Sequence, residues 1–499
     1  MTEYIKSPAG ILLPAVIAAA DSPYRSASAL NRAVREWFPS FGDADEALLP
    51  SLATLRAQSR DLDRNEAIAR GATENIVGNV VADGLRPQAK LDHEYLGISE
   101  TQARSFERAA EKIYELHANS IHADFRLLNP LPLSQALAMR SVLLDGDCLV
   151  VRRFRPRPGG ILGTCVQVIE GARLENPFDQ SRTADIREGV ELDDDGVPEA
   201  YHVRVGNSGR VLSEESKVVR IPRFDAQNRI QVLHLYNGRL PGQTRGEPIL
   251  APVVEKFKQL GRYTDAEIMA AVISAFFSVF VTSDNEGPFG RKAEAHLATR
   301  KGTNPERSTQ TFGNGLMVNL LPGEKVESVT PGRPNSGFDP FVQAILRQVG
   351  IAIGLPYEVL VQHFQSSYSA SRAAILEAWK FFKLRRSWLV RSYCQPVYEW
   401  IIEEAVLRGL LSAPRFDDPI KRQIYLSTEW IGATMQSIDP LKDAKADEIR
   451  LKSGVASRRS IVEEQGRDYE KLRREIENEL EHIVPQEPDS KDDSGAKNA

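Results

Sequence analysis

The side chains able to do covalent or metal chemistry are plentiful in this chain but not arranged for it. Eight histidines are scattered over 499 residues, with no partner spacing that suggests a metal site. Cys148, Cys165 and Cys394 are far apart and odd in number, so they offer neither a disulfide framework nor zinc-ligand spacing. They point to a reducing compartment. HExxH and GxSxG are absent, and so is a glycine-rich phosphate loop ending in Lys-Ser/Thr, which excludes the motor ATPases that carry it. Asp193-Asp194-Asp195-Gly196 hints at calcium, but the twelfth position of such a loop should be Glu and here is Arg204. A solvated hairpin turn is expected instead. No catalytic, cofactor or metal residues are nominated, and the chain is expected not to be an enzyme.

What remains is non-covalent chemistry, and it centres on residues 337–378, GFDPFVQAILRQVGIAIGLPYEVLVQHFQSSYSASRAAILEA. Phe338, Phe341, Val342, Ile345, Leu346, Val349 and Ile353 recur at helical steps. Gln343, Arg347, Gly350 and Gly354 form a narrow polar and small-residue stripe. Pro356 cannot continue that helix. Residues 362–369 are polar and irregular, and either Ser369 or Ser371 suits the N-cap of the helix that follows.

The surrounding elements follow from pattern. Residues 28–37, 48–82 and 100–117 carry three- and four-residue spacing, with Gly84 and Gly97 as breaks. Short β-rich runs follow at 148–154, 164–169, 200–205, 217–221 and 230–235. Residues 248–281 read as a helix pair or one long helix. A Gly/Pro-rich stretch to 336 holds strands at 316–321 and 325–329. Residues 371–409 are helical, with a kink expected at Pro396. Asp439-Pro440 starts another helix, Gly454 ends it, and Tyr469, Leu472, Ile476 and Leu480 mark a last one. Of two apolar runs, 9–20 superficially resembles a secretory signal, but Glu3, the interrupting Pro14 and the single positive charge of Lys6 favour an arm. The other, 268–281, is short of the roughly 20 residues of a membrane span and reads as a buried or interface helix.

With 63 basic and 68 acidic residues the net charge is −5, unlike that of a tight nucleic-acid binder. The 42% hydrophobic content is ample for packed cores, and the length suggests three or so domain-sized units.

GxxxGLPYExL followed by SSYSxSRAA resembles the portal proteins of tailed double-stranded DNA phages, specifically the lambda-type portal family. Further blocks match in one order over residues 24–465. They include Trp37-Phe38-Pro39, Gly42-Asp43-Ala44-Asp45, Leu55-Arg56, Ser59-Arg60-Asp61-Leu62, Arg64-Asn65 and Leu144-Asp145-Gly146-Asp147. Gly189 to Asp193, Ala200 to Val203, RLPGQTRGEPILA at 239–251 and Leu321-Pro322-Gly323-Glu324 continue the series.

The resemblance implies an α+β portal fold of wing, stem, clip and crown. A flexible arm would occupy 1–24, the wing 25–247, a first stem helix 248–281 and the clip 282–336. A second stem helix would occupy 337–354 and a tunnel loop 355–369. A kinked long helix returning to the wing would take 370–435, the crown 436–484 and a disordered tail 485–499. Family members form homo-oligomeric rings, typically of twelve subunits, at one capsid vertex. The ring passes double-stranded DNA non-specifically in packaging and ejection. It also docks the terminase large subunit, the major capsid or scaffold protein, and head-completion or tail connector proteins. The implied location is the virion, after assembly in the host cytoplasm and with no membrane. Near-neutral charge suits such a channel, because a continuous basic lining would hold DNA through counterion release. Arg347, Gln362, His363, Gln365, Ser366 and Ser367 are the candidates for the DNA path, and Phe276, Phe277 and Phe280 for contacts between subunits. The alternative is a non-catalytic oligomeric scaffold or adaptor with no DNA channel; a nuclease or hydrolase with an unrecognised site is a more distant one.

Overall fold

Local capping chemistry decides where most helices of this computed structural model begin. It describes residues 42–177, 186–205, 217–276, 335–364, 367–435 and 439–482, with short backbone strands at 4–6, 12–14, 280–283 and 324–327. Asp43 accepts from the Glu46 backbone while Glu46 reaches back to Asp43, closing a capping box on helix Ala44–Asn65. Ser99 and Gln102 do the same for Glu100–Ala118. The single helix expected over 48–82 is two, Ala44–Asn65 and Ala67–Val80, because Glu66 is extended (φ −110°, ψ 112°). Another helix, Leu131–Asp145, has no clear stripe: Leu133 and Leu137 are exposed on it while Ala138, Met139 and Leu143 are buried. The expected helix at 28–37, strand at 316–321 and tail at 485–499 lie outside the described residues, as do most of 282–336 and most of the expected arm at 1–24, within which Tyr4–Lys6 pairs antiparallel with Leu12–Pro14.

Chain contacts divide the molecule into two units, Met1–Ala251 with Leu376–Ala499, and Pro252–Ile375. In the first unit the β-rich runs become two antiparallel sheets. One has Asp147–Phe154 central, paired with Val232–Tyr236 and Thr164–Glu170. The other runs Ile186–Arg187, Val190–Leu192, Pro198–Val205, Lys217–Pro222 in that order. Asp147 to Val151 are all buried. Leu149 and Val151 join Val190, Tyr201 and Val203 in the core between the sheets. Cys148 faces the other way, its thiol on the Ala138 carbonyl of helix Leu131–Asp145. A strand covered on both faces reads as a continuous apolar run. The expected turn at Asp193 is present, with Gly196 N–H donating to the Asp193 carbonyl at φ 79°.

Arg86–Ala89 pairs antiparallel with Thr428–Ile431, joining distant parts of the chain, and neither strand was evident in the sequence. The distortion expected at Pro396 is a π turn at Val390–Cys394, whose Gln395 N–H bonds the Val390 carbonyl. Such a turn leaves room for a proline that lacks a donor. Asp439 and Pro440 cap helix Pro440–Lys452, and Gly454 follows it at φ 72°. Helices Arg458–Glu464 and Tyr469–His482 complete the unit. No helix among the described residues is long and apolar enough to cross a membrane.

Candidate functional site

Two helices and the turn after them form the second unit's described core. Residues 248–281 give one long helix, Val254–Phe276, rather than a pair. It packs on Phe338–Ile353 through Tyr263, whose ring stacks on Phe338 at 5.6 Å and meets Phe341 edge-on at 5.0 Å. Phe257, Leu260, Leu346, Val349 and Ile353 are buried. Lys256 Nζ donates to Gln348 Oε1 at 2.6 Å. Further along the first helix, Ile268, Met269 and Val272 are 58%, 60% and 47% exposed, an apolar row left uncovered among the described residues.

The second helix stops at Gly354, which adopts the left-handed conformation (φ 82°) that an L side chain resists. Gly350, one of the small residues of the polar and small-residue stripe, is buried: a β-carbon there would lie 2.4 Å from the Leu355 carbonyl oxygen. That contact lets Leu355 N–H bond the Gly350 carbonyl at 2.8 Å. The chain then folds back. Leu355, Val359 and Leu360 are buried, and Tyr357–Leu360 is a short helix. The 355–369 segment is therefore not a loop throughout, and its first third is packed against the helix before it.

Only residues 361–364 and 367 remain as described turn. Gln362 sits at φ 54° and His363 N–H closes the short helix by bonding the Glu358 carbonyl at 3.0 Å. Gln362, His363 and Phe364 are exposed. The next helix, Tyr368–Leu389, begins earlier than Ser369 or Ser371 implied. Ser367 is its N-cap, its hydroxyl accepting from Ala370 N–H at 3.4 Å and its carbonyl from Ser371 N–H at 3.0 Å. Gln365 and Ser366 lie outside the described residues, as do Phe277 and the side chains of Phe276 and Phe280.

Arg347 is exposed and already engaged. It donates to Gln343 Oε1 at 3.0 Å, Gln343 donates to Asp339 Oδ2 at 2.7 Å, and the guanidinium lies 5.4 Å from the Tyr357 ring centre. This i, i+4 ladder holds one cation outward without a direct carboxylate partner in the ladder's last step. Arg347 and the 361–364 turn thus come from the same small folded unit, linked by Tyr357.

The first unit gathers a charge cluster that periodicity does not reveal. Asp147 is fully buried and accepts from Arg56 at 2.7 Å, from Arg245 at 2.5 Å and from His234 at 3.2 Å. Burial alone would raise the Asp147 carboxyl, yet Arg245, His234 and Arg56 hold it well below the usual carboxylate range. Burial lowers the His234 pKa despite Asp147 beside it. Arg60 takes Asp145 in a bidentate pair at 2.6 Å. Arg56, Arg60, Asp145, Asp147 and Arg245 all belong to the blocks that carry the family resemblance, so those blocks meet in space as a structural hub. Among the described residues no group of three or more His, Cys, Asp or Glu is placed to hold a metal ion. The three cysteines are free and buried, and burial raises their thiol pKa values, the opposite of a reactive thiolate.

The family profile described as phage portal protein, lambda family, matches residues 30–386. Portal protein B of Escherichia phage lambda is 24% identical over 459 residues, 88% of this chain and 85% of that protein. The portal protein of Escherichia phage N15 is 25% identical over 460 residues, 88% and 86% of the two chains. Among solved structures, a chain in the neck of an empty gene transfer agent particle aligns with TM-score 0.44 and 14% identity, covering 86% of this chain and 96% of that one. A chain of the native gene transfer agent virion aligns with TM-score 0.40 and 13% identity, covering 86% and 96%.

Proposed function

Because the chain belongs to the lambda family of phage portal proteins, we propose that it closes with copies of itself into a ring at one capsid vertex and that double-stranded DNA passes through the bore. The family match across residues 30–386 carries this reading. The second unit supports it: an uncovered apolar row at Ile268, Met269 and Val272 suits burial against a neighbouring copy. In this assignment residues 248–281 and 337–354, which hold helices Val254–Phe276 and Phe338–Ile353, are the stem, residues 282–336 the clip and residues 436–484 the crown. Residues 25–247 and the return of the chain to 435 are the wing.

Arg347, Gln362, His363 and Ser367 are exposed on the stem unit, and with Gln365 and Ser366 they are the residues we assign to the DNA path. One Arg347 is an ordinary surface cation; repeated around a ring it becomes a band of positive potential that guides the backbone without lining the whole bore. The role is non-catalytic. The terminase large subunit, the capsid or scaffold protein and the head-completion or tail connectors are the partners of such a ring, which is assembled in the host cytoplasm and retained in the virion.

Electron microscopy of the purified protein with rotational averaging tests the reading. Closed rings with an axial channel wider than about 20 Å, enough for a duplex whose grooves measure roughly 6–12 Å, are expected. A monodisperse monomer at high concentration, still without rings after incubation with capsid or scaffold protein, overturns it. Closed oligomers without a bore favour the scaffold alternative.

A further inference from the structure

The C-terminal helices Pro440–Lys452, Arg458–Glu464 and Tyr469–His482 bury little apolar surface against the rest of the first unit. Of their described side chains only Ile461 is a buried apolar one. Beneath them lie polar clefts rather than a sealed interface. One, of about 650 Å³, is bordered by Pro87, Glu111, Glu115, Arg467, Lys471 and Glu475. A second, of about 230 Å³, is bordered by Lys90, Glu107, Arg459 and Glu470 among others.

One short segment makes close, directional contacts to both sides. Thr434 Oγ1 donates to the Gln465 carbonyl at 3.3 Å. A β-carbon on Gly466 (φ 74°) would lie 2.9 Å from Thr434 Cγ2 and 3.1 Å from the Gly432 carbonyl oxygen, so the turn between the last two helices rests on 432–434. On the other side of that segment stands Arg386. Its Nη1 donates to the Ala433 carbonyl at 2.5 Å, its Nε to Val80 at 3.0 Å and its Nη2 to Asn79 at 2.7 Å. Its face lies 5.4 Å from the Trp379 ring centre. The guanidinium therefore caps the C-terminal carbonyls of helix Ala67–Val80 and holds the strand-to-helix connection with the same planar fork. Gly432 is packed against it, since a β-carbon there would lie 3.1 Å from Arg386 Cζ.

We propose that residues 432–434 are the pivot of the C-terminal helices and that Arg386 is the latch that couples this pivot to the long helix Tyr368–Leu389 and to the end of helix Ala67–Val80. A cation whose donors all go to carbonyls of two separate segments makes a joint that can be released without stranding a carboxylate partner. Helices that bury little apolar surface of their own have a low local opening free energy, so one joint can govern their orientation. This inference needs neither ring formation nor DNA.

Hydrogen exchange of the purified full-length chain tests it. In Arg386→Ala, amides at 76–82, 433–435 and both last helices should exchange at least tenfold faster, with Asp147–Phe154 and Thr164–Glu170 unchanged. Arg386→Lys, which keeps the charge but loses the fork, should show the same pattern more weakly and guards against a variant that fails to fold. Gly466→Ala perturbs the other face of the pivot, and should speed exchange in the last two helices while leaving 76–82 protected. Uniformly faster exchange, central sheet included, in both Arg386 variants would make Arg386 a general stabiliser and overturn the proposal. So would last helices that keep wild-type protection in Arg386→Ala or in Gly466→Ala.

Discussion

Gly146 and Gly246 lie back to back. A β-carbon on Gly146 would sit 2.2 Å from the Gly246 carbonyl oxygen, and one on Gly246 would sit 2.0 Å from the Gly146 carbonyl oxygen. This approach brings Arg245 to Asp147, one residue along each strand of chain. Both obstacles are backbone, so neither can move aside. Gly246→Ala should destabilise the first unit by roughly 3–5 kcal/mol, in the upper tail for single substitutions. Urea unfolding followed by tryptophan fluorescence reads this directly, and a change within 0.5 kcal/mol (the range of about ±0.5 kcal/mol for ordinary surface positions) would contradict the close packing.

Asp147→Ala leaves Arg56 and Arg245 buried without their shared carboxylate. Breaking a buried pair from one side costs about 3–5 kcal/mol. The folded carboxyl pKa lies below its unfolded value, so its contribution is present above about pH 4 and is lost as pH falls further. Wild-type stability should therefore drop below pH 4 more steeply than that of the variant, as chemical denaturation across pH will show.

Glu111 behaves in the opposite sense. Burial raises its pKa to about 7, Ala89 N–H donation works against that rise, and Asp468 and Glu107 add to it while Arg474 opposes it. A carboxyl with a raised folded pKa favours the folded state below its unfolded value and loses that contribution as pH climbs through the folded value. Stability should fall between pH 5 and 7 by on the order of 1–3 kcal/mol, since each tenfold difference in proton affinity between the folded and unfolded chain is worth about 1.4 kcal/mol. Glu111→Gln keeps an acceptor for Ala89 N–H and should flatten that slope, measured as Tm against pH.

Gln362 occupies the left-handed region at φ 54° after a short helix. Gln362→Gly should be neutral or stabilising by up to about 1 kcal/mol, while Gln362→Val should cost about 1–2 kcal/mol. Replacing Gln362 and His363 together by Gly-Ser should leave ring formation intact and shorten or loosen the packaged DNA. Full-length, stably retained DNA would remove this turn from the DNA path, and loss of rings would make it structural.

Met269 is 60% exposed on helix Val254–Phe276 beside Ile268 and Val272. Met269→Asp should leave the Tm of the isolated chain close to wild type, equivalent to a stability change within about 1 kcal/mol, as surface changes generally do. Ring formation should fall sharply in electron micrographs and by light scattering. Normal rings would place the subunit contact elsewhere, for instance at Phe276, Phe277 and Phe280.

Chain-local physics was legible in the sequence. The stop at Gly354, the cap at Asp439-Pro440, the turn at Asp193 to Gly196 and the distortion before Pro396 depend on contacts within a few residues, which a short window contains. The β-rich runs were legible because alternation or a continuous apolar run follows from which faces are covered. The resemblance to the portal family rested likewise on ordered blocks of residues. Tertiary structure alone decided that Arg86–Ala89 pairs with Thr428–Ile431, that Leu355, Val359 and Leu360 are packed rather than looped out, and that Arg56, Asp147 and Arg245 meet. Arg386 had no sequence signal at all, because its partners are backbone carbonyls, which every residue type supplies. Such contacts depend on where distant elements come to rest, and that is set by the summed burial of both sheets and the helices over them rather than by any one segment's composition.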